Sequence, residues 1–207
     1  MIKLPPYGDG QRIGLFGGSF NPAHTGHYKV ALFALQRLQL DWVWWLVTPQ
    51  NPLKGREETA AYEKRLPQTR SVARHPRFVV TDLENQMHAQ YTAETVTRLK
   101  ALCPTAKFIW IMGADSLASL HRWHHWMDIV ETVPFAVLAR PGYSIRALNG
   151  VAATRLAGRQ IPAEAAAKTI DQPLPAWTFI TMPLRKESST AIRRAGNGAL
   201  EAGPTPQ

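Results

Sequence analysis

The sequence GGSFNPAHTGH occupies residues 17–27, directly after the apolar segment Arg12–Phe16 and before a run of apolar residues at helical spacing. The apolar segment is typical of a short buried strand, which the glycine pair would end. Val30, Ala31, Ala34, Leu35 and Leu38 predict a helix over Gly26–Leu38, and we expect Thr25 to be its N-cap. The stretch therefore predicts a strand, a tight loop and a helix in succession.

The residue types in this loop suit a phosphate ligand. Gly17 and Gly18 are expected to let the backbone turn sharply and approach a ligand closely. The free N–H groups at the start of the helix attract anions. His24 and His27 are three residues apart, so both imidazoles can face one anion where negative charge develops. Gly26, between them, would leave room for a bulky ligand.

Two other chemistries could use the same residues. Two histidines at this spacing could bind zinc, but no third soft ligand follows at an obvious spacing, and Cys103 falls on a different predicted helix. Zinc sites need three or four ligands, so no protein metal site is predicted. A Walker-type phosphate loop is excluded because the sequence lacks Gly-Lys-Ser and Gly-Lys-Thr.

Strand-like and helical patterns alternate through most of the chain, which predicts an α/β doubly wound parallel sheet with helices on both faces. In such sheets ligands gather at the carboxyl ends of the strands, and the polar segments noted here follow strand ends. The predicted strands are Arg12–Phe16, Val43–Thr48, Arg77–Thr81, Lys107–Met112, Phe135–Ala139 and Trp177–Met182. The predicted helices are Gly26–Leu38, Ala60–Ala73, one capped by Thr92 and running to Leu102, stretches from 113 to 130, peripheral helices within 144–172, and a short last one capped by Ser188 or Ser189.

Composition narrows the class of protein. The chain has 207 residues, 45% hydrophobic and 19% charged, which predicts one globular domain over 12–194 between an extension at 1–11 and a flexible tail at 195–207. A single cysteine and the absence of an apolar run of about 18 residues predict a cytoplasmic protein with no membrane contact. The net charge of +9 favours anionic partners, but the basic residues are scattered without an aromatic–basic stripe, so nucleic acid is not expected.

Residues 17–27 resemble the signature of the H-x-G-H nucleotidyltransferase superfamily, with His24-Thr25-Gly26-His27 as its core. The resemblance implies a Rossmann-like fold and adenylyl or cytidylyl transfer without a covalent enzyme intermediate. Near the carboxyl terminus, residues 187–193 are similar to the S-[ST]-T-x-I-R motif of bacterial nicotinate-nucleotide adenylyltransferases. There Ser189 and Thr190 would cradle phosphate oxygens, and Arg193 would add a fork of donors.

Further segments resemble the same family. Gly113 and Asp115 match its G-x-D-S segment, which would hold the adenosine ribose; taken alone, Asp115 would be a helix cap. The loop of Asn51 and Lys54 resembles the proline-rich substrate loop, although it lacks the histidine of many relatives. Two pairs are expected at the nicotinate ring, Tyr91-Thr92 and Trp123-His124, where the second pair has His in place of the usual Tyr. Stacking of Trp123 on a pyridine suits both rings; the alternative places Trp123 and Trp126 in the core.

The resemblance implies that ATP and nicotinate mononucleotide are joined with release of pyrophosphate, with Mg²⁺ bound to ATP. It implies catalytic roles for His24, His27 and Arg193. The ATP-binding set comprises Gly17, Gly18, Ser19, Phe20, Gly26, Gly113, Asp115, Ser189 and Thr190. Nicotinamide mononucleotide and phosphopantetheine stay open as acceptors, as does a non-catalytic nucleotide or nucleic-acid binder. Monomer and homodimer are both left open.

Overall fold

The computed structural model describes residues 2–49, 62–139 and 144–182, which form one parallel sheet with helices on its two faces. The sheet has seven strands in the order β3-β2-β1-β4-β5-β7-β6, and all neighbouring pairs are parallel. The strands are β1 Arg12–Gly18, β2 Trp42–Val47, β3 Phe78–Thr81, β4 Lys107–Gly113, β5 Phe135–Ala139, β6 Gln160–Ile161 and β7 Trp177–Thr181. The predicted doubly wound fold is confirmed.

The order of the strands places a crevice at the centre of the sheet. The chain runs outward from β1 through β2 to β3, and then returns to the other side of β1 with β4. The topological switch point therefore lies between β1 and β4, and ligands of open α/β sheets bind outside the carboxyl ends of the strands at such a point. Residues 19–27 follow β1 and Asp115 follows β4, so both predicted nucleotide segments lie at this point.

The helices cover both faces of the sheet, because alternate side chains of each buried strand point to opposite sides. Ile13 and Leu15 of β1 join one core cluster with α4, and Phe16 joins the other with α1. The helices are α1 Thr25–Arg37, α2 Tyr62–Val72, α3 Leu83–Gln86, α4 Thr92–Leu102, α5 Ala114–Ser119, α6 Trp126–Thr132, α7 Ser144–Leu148 and α8 Val151–Arg155. Short 3₁₀ helices lie at Leu120–Arg122, Ala157–Arg159 and Ala163–Asp171, the last of them kinked.

The segment before β1 is packed against the domain. Ile2, Leu4 and Tyr7 lie against the core cluster of α4. The backbone N–H of Lys3 donates to Oε1 of Gln86 at 2.7 Å, and Gly10 N–H donates to the carbonyl of Thr105 at 2.9 Å. Residues 2–10 thus add apolar burial to this face of the sheet.

The structure differs from the sequence predictions chiefly at short elements and at element ends. β1 continues through the glycine pair that was expected to end it, and α1 begins one residue earlier than predicted. The helix α3 and the two-residue strand β6 were not predicted, since both are shorter than any periodic pattern can reveal. The Ala-rich stretch after residue 144 was predicted to be peripheral, but Ala147, Ala152 and Leu156 are buried in the core.

No helix within the described ranges combines the length and the apolar character that a membrane span requires.

Candidate active site

The loop between β1 and α1 turns at Phe20, which was not expected. Phe20 has a φ of +43°, in the left-handed region, whereas no positive φ occurs at Gly17 or Gly18. The prediction that the glycine pair supplies a sharp turn is therefore wrong. The Phe20 ring is held in this conformation by aromatic neighbours, with ring centroids 5.4 Å from Phe16, 5.1 Å from Trp45 and 5.1 Å from His27.

Close packing against aromatic rings explains why Gly17 and Gly18 have no side chain. A Cβ on Gly17 would lie 2.5 Å from the ring atom Cη2 of Trp110, a side chain that is 3% exposed on the neighbouring strand β4. A Cβ on Gly18 would lie 3.3 Å from the Phe20 ring. The absence of a side chain therefore lets β1 pass close to these two rings.

We expect Gly17→Ala to lower the free energy of unfolding by about 1 to 3 kcal/mol, because the added methyl group must displace a buried indole. Urea denaturation measures this change. Gly158→Ala is the matched control, since a Cβ there meets no atom within 4 Å. This substitution changes only the conformational entropy of the unfolded chain. Equal stabilities of the two variants would contradict the packing argument.

His24 and His27 come together at the start of α1. His24 rather than Thr25 is the N-cap, and its Nδ1 accepts a hydrogen bond from the backbone N–H of Gly26 at 3.0 Å. Nδ1 of His27 accepts from the backbone N–H of His24 at 3.2 Å, which completes a reciprocal capping box. The ring centroids are 3.9 Å apart with a 31° angle between the planes. The pair is thus fixed in one arrangement, with His24 only 6% exposed.

This arrangement assigns the imidazole tautomers. A nitrogen that accepts a hydrogen bond carries no proton, so in each neutral ring the proton is on Nε2. Both rings are then N–H donors at the amino end of a helix whose first turn contains no acidic side chain. Donors at a helix N-terminus are the chemistry that phosphate oxygens require.

The segment after β4 lies beside this loop, because β4 is hydrogen-bonded to β1. Gly113 is the N-cap of α5, and Asp115 is an exposed residue of its first turn that makes no capping hydrogen bond. The alternative of Asp115 as a helix cap is therefore contradicted. Its Oδ1 lies over Gly113, in the space that a Cβ at this position would occupy. The carboxylate can accept hydrogen bonds from hydroxyl groups of a ligand.

The residues predicted at the nicotinate ring are brought together in part. The rings of Tyr91 and His124 are stacked, with centroids 4.2 Å apart and planes at 19°. Tyr91, rather than the predicted Thr92, is the N-cap of α4, and Thr92 is its first residue. Trp123 and Trp126 are half-buried and pack on the core cluster that contains α4. Both therefore contribute to the core, as the alternative predicted, but neither is fully buried in it.

Two buried polar residues of this edge were not predicted as functional. Arg65 on α2 is fully buried and donates to backbone carbonyls of the loops after β1 and β2. Glu84 on α3 is 4% exposed, and its Oε1 accepts from Oγ1 of Thr95 at 3.1 Å. Burial raises the pKa of Glu84 to about 7, although the hydroxyls of Thr48 and Thr95 partly offset that rise. No sequence pattern marked either residue, because only the fold shows that they are buried.

Several predicted site residues lie outside the described ranges: Asn51, Lys54, Ser189, Thr190 and Arg193, with the helix expected to begin at Ser188 or Ser189. Within the described ranges, no group of three or more His, Cys, Asp or Glu side chains could hold a metal ion.

The sheet order, the loop after β1 and its histidine pair form a candidate phosphate-binding site at the switch point of the sheet. The family model described as cytidylyltransferase-like matches residues 15–195. A probable nicotinate-nucleotide adenylyltransferase of Caulobacter sp. (strain K31) is 50% identical over 182 residues, which cover 88% of this chain and 96% of the relative. A probable nicotinate-nucleotide adenylyltransferase of Mesorhizobium japonicum is 46% identical over 195 residues, 94% of this chain and 100% of that relative. The chain belongs to the nicotinate-nucleotide adenylyltransferase family.

A solved structure shares the fold. The nicotinic acid mononucleotide adenylyltransferase of Plasmodium falciparum, complexed with APC, superposes with a TM-score of 0.65 at 16% identity, covering 89% of this chain and 83% of that one. The same protein complexed with NaAD gives a TM-score of 0.64.

Proposed function

We propose that this protein transfers the adenylyl group of ATP to nicotinate mononucleotide, giving nicotinate adenine dinucleotide and pyrophosphate, and that His24 and His27 act on the ATP phosphates. The observation that carries the proposal is the fixed imidazole pair at the start of α1, at the switch point of the sheet. Family membership supports the choice of reaction. A cytoplasmic location is also proposed, and the single cysteine, which is buried, supports it.

The proposed reaction needs no general base. A phosphate oxygen of the mononucleotide is already anionic and attacks the α-phosphorus of ATP in line, and the bond to pyrophosphate breaks. Catalysis of this kind rests on positioning and on stabilising charge. The two Nε2–H donors and the amino end of α1 would supply both, because they are fixed before the substrate arrives. Ser19, Thr190 and Arg193 are proposed to hold the remaining phosphate oxygens.

Mg²⁺ is proposed to arrive with ATP. The donors at the start of α1 are the two Nε2–H groups of the imidazole pair, which suit phosphate oxygens rather than a hard cation, so the triphosphate itself would be its main ligand. When bound, Mg²⁺ supplies positive charge that stabilises the departing pyrophosphate.

The acceptor ring is proposed to bind at the stacked pair of Tyr91 and His124, together with Trp123. We expect His124→Ala to raise KM for nicotinate mononucleotide about fivefold, because loss of an aromatic contact costs on the order of 1 kcal/mol. KM for ATP should stay within about twofold. His75→Ala is the matched control, since His75 precedes β3 at the opposite edge of the sheet and packs on Phe78. Equal changes in both KM values would contradict the assignment.

Product identity tests the reaction. The protein is incubated with Mg-ATP labelled at the α-phosphate and, in parallel, with nicotinate mononucleotide, nicotinamide mononucleotide or phosphopantetheine. We expect label in a dinucleotide and stoichiometric pyrophosphate, fastest with nicotinate mononucleotide. Pyrophosphate release with phosphopantetheine alone would reassign the acceptor, and absence of release with all three would contradict an adenylyltransferase.

A further inference from the structure

Arg65 is a charged side chain in an unusual position. It lies on α2 with no solvent exposure. Its Nη1 donates to the carbonyl oxygens of Ser19 at 2.6 Å and Thr48 at 2.8 Å, and its Nη2 donates to that of Pro49 at 2.6 Å. Burying a guanidinium is costly unless its N–H groups are hydrogen-bonded. The burial of Arg65 therefore depends on the three carbonyl groups to which it donates.

The three carbonyls belong to two different loops. Ser19 follows β1, whereas Thr48 and Pro49 follow β2. The same two loops are also joined directly, because the backbone N–H of Thr48 donates to the carbonyl of Gly18 at 3.0 Å. Arg65 therefore fixes the distance between two loops at the carboxyl edge of the sheet.

The contact with Ser19 continues toward the histidine pair. Ser19 is followed by Phe20, whose left-handed backbone turns the loop toward α1. The Phe20 ring packs on His27 with centroids 5.1 Å apart. A shift of the Ser19 carbonyl would therefore move Phe20 and, through it, the imidazole of His27.

Arginine suits this task better than lysine. Its guanidinium is planar and rigid and presents several N–H donors in fixed directions, whereas an ammonium group is a single flexible donor centre. The ring of Tyr62, one turn earlier on α2, lies 5.4 Å from Cζ of Arg65 and adds a cation–π contact.

We propose that Arg65 is a positioning residue for adenylyl transfer: through Ser19, Thr48 and Pro49 it holds the two residues directly after β2 in register with the loop that leads to His24 and His27. It does not contact the reacting atoms. This inference rests on the proposed function for its kinetic consequence, and on the described contacts for its structural one.

The test compares Arg65→Lys with Arg12→Lys. Arg12 is the matched control because its guanidinium also donates to two backbone carbonyls, those of Leu38 and Ala167, but at the amino end of β1. In Arg65→Lys we expect kcat to fall about 10- to 100-fold, with KM for both substrates within about threefold, because misplacement of about 1 Å costs rate more than binding. Arg12→Lys should lose thermal stability to a similar extent and keep kcat.

Hydrogen–deuterium exchange supplies a readout that needs no activity. In Arg65→Lys the amides of residues 17–20 and 46–48 should exchange at least tenfold faster than in the unmodified protein, while Arg12→Lys leaves them unchanged. If the unmodified protein made no dinucleotide but this exchange pattern held, the proposed function would fail and the clamp between loops would stand. Unchanged exchange in these segments would overturn the clamp whatever the activity.

Two kinetic outcomes also overturn the inference. One is an unchanged kcat in Arg65→Lys; the other is a loss of kcat in Arg65→Lys and in Arg12→Lys that is proportional to each variant's loss of thermal stability. If Arg65→Lys does not fold, Tyr62→Leu replaces it, since it removes the ring against the guanidinium and keeps every N–H donor of Arg65. We then expect kcat to fall a few-fold and the amides of residues 46–48 to exchange faster. The inference is overturned if either quantity stays unchanged.

Discussion

Replacing His27 by Ala is expected to lower kcat about a hundredfold. Nδ1 of His27 accepts the backbone N–H of His24, so the Nε2–H group is a donor at the amino end of α1. If that donor binds the oxygen on which charge develops, its loss removes about 3 kcal/mol of transition-state stabilisation. Steady-state rates at saturating ATP and nicotinate mononucleotide measure the effect. KM for ATP should change far less than kcat, because the interaction strengthens in the transition state.

The control must separate chemistry from helix stability, since His27 also takes part in the capping box. Val30→Ala serves this purpose, because Val30 is buried on the same helix at 4% exposure and its truncation creates a cavity without touching the histidine pair. Its kcat should equal that of the unmodified protein. Full turnover in His27→Ala, or an equal loss in both variants, would contradict the role given to this imidazole.

Replacing Glu84 by Gln is expected to make the protein up to about 3 kcal/mol more stable at pH 8 and less than about 1 kcal/mol more stable at pH 5. Burial raises the pKa of Glu84 from 4.5 to about 7. The folded protein therefore binds this proton over a range of pH in which the unfolded chain has lost it. The corresponding stability is fully present below pH 4.5 and is lost as pH rises through 7, and each pH unit between these values is worth about 1.4 kcal/mol.

Glutamine resembles the protonated acid in shape but cannot ionise, so the variant should not lose this part of its stability. The difference in the free energy of unfolding between variant and unmodified protein, from urea denaturation at pH 5 and pH 8, isolates Glu84 from other groups. Glu131→Gln, at an exposed carboxylate on α6, is the control and should show no such difference. A difference that is the same at both pH values would contradict the raised pKa.

The same residue connects to the proposed acceptor site. Oγ1 of Thr95 lies 3.1 Å from Oε1 of Glu84 and 3.3 Å from the carbonyl oxygen of Tyr91. A hydroxyl donates only one proton, so it cannot donate to both oxygens at once. When Glu84 is protonated it can donate to Thr95, and Thr95 can then donate to Tyr91. The amino end of α4 is thus best held when Glu84 is neutral.

The sequence was sufficient for the parts of the site that are local. The alternation of patterns predicted the parallel sheet, and the spacing of His24 and His27 predicted that both imidazoles lie at the start of α1, where they can face one anion. The N-cap of α1 was predicted wrongly as Thr25. His24 is the N-cap, because Nδ1 of an imidazole can accept a backbone N–H as a Ser or Asp oxygen does. The turn between β1 and α1 lies at Phe20 rather than at the glycine pair, because aromatic packing stabilises it there.

The parts that depend on tertiary contacts could not be predicted. Arg65 lies in a segment with Glu63, Lys64 and Arg70, and its sequence neighbours are indistinguishable from a solvated helix face. Only the packing of α2 against β2 and β3 shows that this one charge is buried and bound to three carbonyls. Glu84 was missed for the same reason, since α3 has only four residues and carries no period.

The proposed function depends on contact between the two imidazoles and the ATP phosphates, which the ¹⁵N chemical shifts of the histidine rings report. Protein labelled with ¹⁵N-histidine is titrated with a non-hydrolysable Mg-ATP analogue, and the resonances are assigned by single substitutions. We expect the Nε2 resonances of His24 and His27 to shift together and saturably, while those of His75 and His88 stay in place. Saturable binding of the analogue that leaves both Nε2 resonances unmoved would contradict it.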